Sequence, residues 1–122
     1  MKKLLSILLL TAIISCNQPA RNCKDYKTGS FNTEFMLNKK KQITSFVRND
    51  SIEIETYNGV TDTSTIRWIN DCEYVLSKKN PKTLQEKKAI AIKILSTTQN
   101  SYTFEFGIVG STQKQVSTAT KN

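Results

Sequence analysis

Three cysteines carry the most specific chemistry in this chain of 122 residues. Cys16 follows Ile13-Ile14-Ser15, branched apolar residues and then a small one, which is the pattern of a bacterial lipobox. A thiol at such a place accepts a diacylglycerol, and cleavage before it frees an amine that can be acylated in turn. Each buried methylene contributes about 0.8 kcal/mol, so two or more chains give stable anchoring. Cys23 and Cys72 are then left as an even pair. In an oxidising compartment such a pair closes a disulfide. It would tie the segment after Cys16 to the domain and contribute about 2–4 kcal/mol. The other arrangement is two buried free thiols. The donor set speaks against a metal centre, because the chain has no histidine.

The same lack of histidine removes a Ser-His-Asp or Cys-His arrangement. Only four glycines occur and none are clustered, so no phosphate-binding glycine loop is present. Glu53 and Glu55 share one face of a strand, about 7 Å apart by strand geometry. Paired carboxylates can do acid–base work on glycosides. Here they alternate with Ile52 and Ile54, the pattern of a half-buried strand, which puts the carboxylates on the outward, solvated face. No catalytic residue is therefore assigned, and no cofactor is expected. The candidate ligand-binding residues are Arg67, Trp68, Tyr74, Tyr102 and Phe104. Arg67, with Asp71 and Glu73 nearby, is placed at a barrel mouth, with a cross-strand ion pair as its plainer role. The aromatics Phe31, Phe35, Trp68, Tyr74, Tyr102, Phe104 and Phe106 either line an apolar pocket or fill a core, and a domain this small favours the filled core.

The segments that position these residues begin with an export signal. Lys2 and Lys3 precede an apolar run, Leu4 to Ile14, too short to span a bilayer. Residues 1–15 are thus a lipoprotein signal peptide, 16–25 the lipidated cysteine and a polar tether, and 26–122 one domain. The address is the cell envelope, with the protein held on a membrane through Cys16. Asn17, in place of Asp, favours the outer membrane, facing the periplasm or the surface. The formal charge is +8; without Lys2 and Lys3, 16 basic side chains face 10 acidic ones, leaving +6. Such an excess suggests nucleic acid only for a cytosolic protein. In the envelope the lysines keep a monomeric domain soluble, and no nucleic-acid partner is expected.

Period-two alternation runs through residues 26–122. Phe31, Phe35 and Leu37 fall in one register. Ile43 and Val47 take one face of the next run and Phe46 the other. Asn58-Gly59 is a strong hairpin turn. A connection over Ile69-Asn70-Asp71 sets Trp68 opposite Cys72 and gathers Ile66, Trp68, Cys72, Tyr74 and Leu76 on one face. Thr83-Leu84-Gln85-Glu86 fits a capping box and predicts a single helical turn. Ile90, Ile92 and Ile94 share a face, and Tyr102, Phe104, Phe106 and Ile108 make the cleanest apolar stripe. About eight short strands without a long crossover pair antiparallel. Eight strands curl, and closure removes their edges. The expected fold is all-β: an antiparallel meander bent into a small lipocalin-like barrel or half-barrel, with a β-sandwich as the alternative.

From Arg21 to Asn122 the chain also resembles a group of small lipoproteins from Bacteroidota, mostly flavobacteria. The likeness is carried by Arg21-Asn22-Cys23-Lys24-Asp25, Lys27-Thr28-Gly29 and Arg48-Asn49-Asp50-Ser51. It continues through Ile66-Arg67-Trp68-Ile69-Asn70-Asp71-Cys72-Glu73-Tyr74, Ser101-Tyr102-Thr103-Phe104-Glu105 and Gly110-Ser111. Members often carry the label "DNA topoisomerase IV". A type II topoisomerase needs an ATP-binding domain, or a large DNA-cleaving domain with a tyrosine, an arginine and a magnesium site, and this chain is too short for either. The resemblance implies a lipoprotein and adds no known activity. The expected function is non-enzymatic: binding of a small apolar ligand or of an envelope protein. The alternative is a structural or accessory interaction protein with a filled core.

Overall fold

The computed structural model describes residues 21–122. Cys16, the signal peptide and most of the tether lie outside the described residues. Eight antiparallel strands form a closed meander barrel in which each strand pairs with its sequence neighbours and the last pairs with the first. They are β1 (Gly29–Leu37), β2 (Lys40–Arg48), β3 (Ile52–Tyr57), β4 (Val60–Asn70), β5 (Glu73–Lys78), β6 (Ile90–Thr97), β7 (Ser101–Ile108) and β8 (Gln115–Lys121). The barrel expected from the alternation is the barrel observed, and the sandwich is not. Closed sheet, core and disulfide all lie within residues 21–122, so this stretch is a self-contained folding unit.

Two hairpins are set by left-handed residues. Asn38 and Lys39 both have positive φ, as do Asn58 and Gly59. Paired positive φ values make the turn whose twist matches the strands it joins. Asn49 shapes a third connection: its Oδ1 accepts from the backbone N–H of Ser51 and of Ile52. This Asx turn brings Arg48 opposite Glu53.

The β4–β5 hairpin differs from expectation. Trp68 pairs with Tyr74, not with Cys72, and a bulge between Trp68 and Asn70 lets Asn70 pair with Glu73. A bulge adds a residue to one strand and so restores the face that a tight turn would have reversed. Ile66, Trp68, Cys72 and Leu76 still pack on the core that holds Tyr74. At Thr83 the capping hydrogen bond forms, from Glu86 N–H to Thr83 Oγ1 (3.1 Å). The Glu86 carboxylate turns to Lys78 and the Lys82 N–H instead, and a turn results rather than a helix.

The two barrel ends are unlike. A four-residue 3-10 helix, Cys23–Tyr26, lies across the end made by the β2–β3, β4–β5 and β6–β7 turns. Cys23 is disulfide-bonded to Cys72. The Tyr26 hydroxyl donates to the Thr98 carbonyl (2.7 Å), and Lys27 pairs with Asp71 (2.8 Å). Tyr26, Phe31, Ile94, Tyr102 and Ala119 pack solidly beneath. The opposite end, bounded by the β1–β2, β3–β4, β5–β6 and β7–β8 connections, is open.

Candidate functional site

The interior above the packed end holds a cavity of about 450 Å³ that opens to solvent. Cavities of this size take small molecules. The strand pattern divides its wall. Strands β5 to β7 contribute Leu76, Ile90, Ile92, Phe104 and Phe106, while β1, β2 and β8 contribute Thr33, Thr44, Gln115 and Ser117. The lining is mixed: β1 and β2 also contribute Phe35, Phe46 and Arg48, β3 contributes Glu53 and Glu55, and β5 and β7 contribute the hydroxyls of Tyr74 and Tyr102. The lower barrel is the filled core the aromatics predicted; the upper barrel is hollow.

At its floor stands Arg48, 2 % exposed. Its Nε and Nη2 both donate to Glu53 Oε1 (3.1 and 3.0 Å). Nη1 donates to the Tyr26 carbonyl (2.7 Å), and Nη2 also to the hydroxyls of Tyr74 (2.7 Å) and Tyr102 (2.8 Å). Rings of Phe31, Phe46 and Tyr74 lie 5.0, 5.3 and 4.7 Å from the guanidinium carbon, within cation–π range. The cation is therefore enclosed by partners on all sides.

Burial opposes the Arg48 charge, but the hydroxyls of Tyr74 and Tyr102 and the Glu53 carboxylate outweigh it and hold the guanidinium protonated. For Glu53 burial wins: its pKa lies above the ordinary carboxylate value, with Arg48 opposing. Tyr74 is held well above the usual phenol range, by burial first and then by Tyr102 beside it. Burial raises Tyr102 as well. Glu55 is raised by partial desolvation between the cavity walls, then by Glu53 and Asp62, with Lys78 opposing.

Glu53 and Glu55 reverse the polarity expected of β3. They face inward and line the cavity, while Ile54 lies on the outside, 37 % exposed. The register explains this. Phe46 pairs with Glu55 and Arg48 with Glu53, and directly paired residues share a face. Once Phe46 and Arg48 point in, both glutamates must follow, and Val47 and Ile54, paired on the other face, must point out. A one-residue change of register would bury Ile54 but strand Arg48 in the core without a carboxylate.

Of the five residues expected to contact a ligand, Tyr74, Tyr102 and Phe104 line the cavity. Arg67 and Trp68 do not. Arg67 pairs with Val75 on the outer surface and is exposed, away from the mouth. The Asp71 carboxylate near it is taken by Lys27 and Lys24. Trp68 is half-buried beside the packed end, its ring 4.5 Å from Tyr74 and its buried Nε1–H without an acceptor among the described residues. Sequence reasoning missed Arg48 as the organising residue. The available signal was its place two residues after Phe46 at the end of an alternating strand, with a glutamate just across a short Asn-Asp turn. No group of His, Cys, Asp and Glu among the described residues is arranged to hold a metal ion.

The Cys23–Cys72 bridge is present. No helix among the described residues is long and apolar enough to cross a membrane. No family model matches the chain, and neither a curated protein nor a solved structure matches it significantly.

Proposed function

We propose that this is a lipid-anchored envelope protein, non-enzymatic, whose barrel binds a small, largely apolar molecule. The observation that carries the reading is the cavity of about 450 Å³, one wall built of Leu76, Ile90, Ile92, Phe104 and Phe106. A barrel meant only as a rigid post gains nothing from that void, since filling apolar space is stabilising. The floor supports binding over chemistry: Arg48, Tyr74 and Tyr102 are engaged with one another and with Glu53, not poised at a reacting centre.

The orientation of the barrel fits an anchor at Cys16. Arg21 enters at the closed end, where its Nη1 donates to the Ile94 carbonyl (3.4 Å). Four residues lie between Cys16 and Arg21, and the five steps from one to the other span at most about 18 Å when extended. An anchored chain would therefore hold its closed end toward the bilayer and its mouth away from it. A ligand would enter from the aqueous side or from a facing protein.

Native mass spectrometry of residues 17–122, produced in a periplasm, tests the reading. The expected result is an added mass that survives gentle ionisation and is lost on denaturation. A bare protein that also fails to take up apolar compounds of this size would overturn it. A second reading, an interaction protein, is favoured by one feature: Ile43 and Val47 stand 53 % and 55 % exposed on the outer face of β2. Their replacement by Thr would then abolish capture of an envelope partner and leave the cavity untouched.

A further inference from the structure

Resting on that binding reading, we propose that the cavity selects a cationic head on an apolar body, an alkyl- or arylammonium, and discriminates against carboxylates.

The argument is a count of which charges remain available. Among the described residues Arg48 is the only cation lining the cavity, and it is spent. Its charge is matched by Glu53 and shared with two hydroxyls and a carbonyl, and aromatic rings cover its faces. An incoming carboxylate would have to displace one of these partners from around Arg48, which is only 2 % exposed. Glu53 has a different balance. It is 6 % exposed, yet both of its bonds from Arg48 fall on Oε1, leaving Oε2 without a hydrogen-bond partner among the described residues. Glu55, two residues on, lines the same cavity but is exposed to solvent, and it makes no hydrogen bond or ion pair among the described residues. Lys78, the cation that acts on it, is already held by Asp62 (3.2 Å) and Glu86 (2.8 Å).

The cavity thus contains one compensated pair and one uncompensated carboxylate, with a spare acceptor oxygen between them. An ammonium group seated between Glu53 Oε2 and Glu55 would donate to both and neutralise the excess. A carboxylate there would be a third negative charge, disfavoured by both neighbours. Phe35, which lines the same cavity, adds a ring face that attracts a cation. The apolar wall across the cavity would receive the body of the same molecule, so head and body have separate places.

Three probes of equal chain length test this on residues 17–122 by calorimetric titration at neutral pH: octylammonium, octanoate and octanol. The expected result is octylammonium binding at least tenfold tighter than octanoate, with that ratio falling toward one in Glu55→Gln. Raising salt should narrow the ratio, because Glu55 is exposed to solvent and its pairing with the head is screened. Octanol and octanoate binding as well as octylammonium would overturn the charge preference while leaving the small-ligand reading intact. A large preference that persists unchanged in Glu55→Gln would overturn the assignment of the head to these carboxylates. Failure of all three probes to bind would remove the small-ligand reading itself, and this inference with it.

Discussion

The two ends of the barrel hold charges in opposite ways. At the closed end Arg48 and Glu53 are buried, and hydroxyls, a carbonyl and aromatic rings surround the guanidinium. At the mouth Lys78, Asp62 and Glu86 pair in contact with water. The first arrangement is costly to assemble and costly to disturb, because taking two ions out of water is repaid only by near-complete satisfaction. The second can be broken and remade with little effect. The closed end is suited to fixing the shape of the barrel. The mouth is suited to letting something pass.

The largest effect should come from splitting the buried pair. Glu53→Leu leaves Arg48 charged and uncompensated and should cost about 3–5 kcal/mol in chemical denaturation. Arg48→Met should cost a similar amount by isolating Glu53. The double variant should recover much of the loss, since replacing both ions by apolar groups of similar volume is often neutral. If the two single losses simply add, the pair does not act as a unit and the contrast between the ends fails.

Next in size is the bridge that ties the 3-10 helix to the β4–β5 turn. Cys23→Ser with Cys72→Ser frees a loop with a sequence separation of 49 and should cost about 2–4 kcal/mol. Because the helix is the lid of the closed end, hydrogen exchange should rise first at Tyr26 and the β6–β7 turn and only later in the β2–β3 hairpin. Uniform acceleration around the barrel would mean that the closed end has no separate stability.

What was legible from the chain, and what was not, follows the same division. The stripe Tyr102, Phe104, Phe106 and Ile108, the Asn58-Gly59 turn and the cysteine pair are signals each contained in a short stretch, and all appear as expected. Alternation alone turns the inward face of β3 outward, because the rule assumes that the apolar set faces the core. That rule fails where the interior contains an ion. Whether Glu53 points in depends on its pairing with Arg48 and on the tyrosines of two distant strands. The Phe46–Glu53 stretch holds the pairing, but the tyrosines that complete the site lie on β5 and β7, outside any local window. Arg67 misses the mouth for a related reason: adjacency to Trp68 in sequence puts it on the opposite face of the sheet.

At the mouth, Lys78→Ala should cost less than about 1 kcal/mol, because its pairs with Asp62 and Glu86 are open to solvent and screened. A loss of several kcal/mol would show that the β5–β6 connection is as much a structural clamp as the closed end.

The smallest effect is also the one that links the two regions, since Glu55 lies between them. Its pKa is raised above the ordinary carboxylate value by desolvation, then by Glu53 and Asp62. A carboxyl whose pKa is higher in the folded state than in the unfolded one binds protons more readily when folded. Its ionisation therefore destabilises the fold above the folded pKa, and that penalty disappears as pH falls toward the unfolded value of about 4.5. Glu55→Gln carries no such ionisation. The variant should be more stable than the parent at neutral pH, and the two melting curves should converge as the solution is acidified toward pH 4.5. Octylammonium should produce the same convergence from the other side, stabilising the parent at neutral pH and losing that effect as Glu55 takes up its proton. If the parent is the more stable protein at neutral pH without ligand, the uncompensated charge assigned to Glu55 is already balanced by a group of the barrel itself.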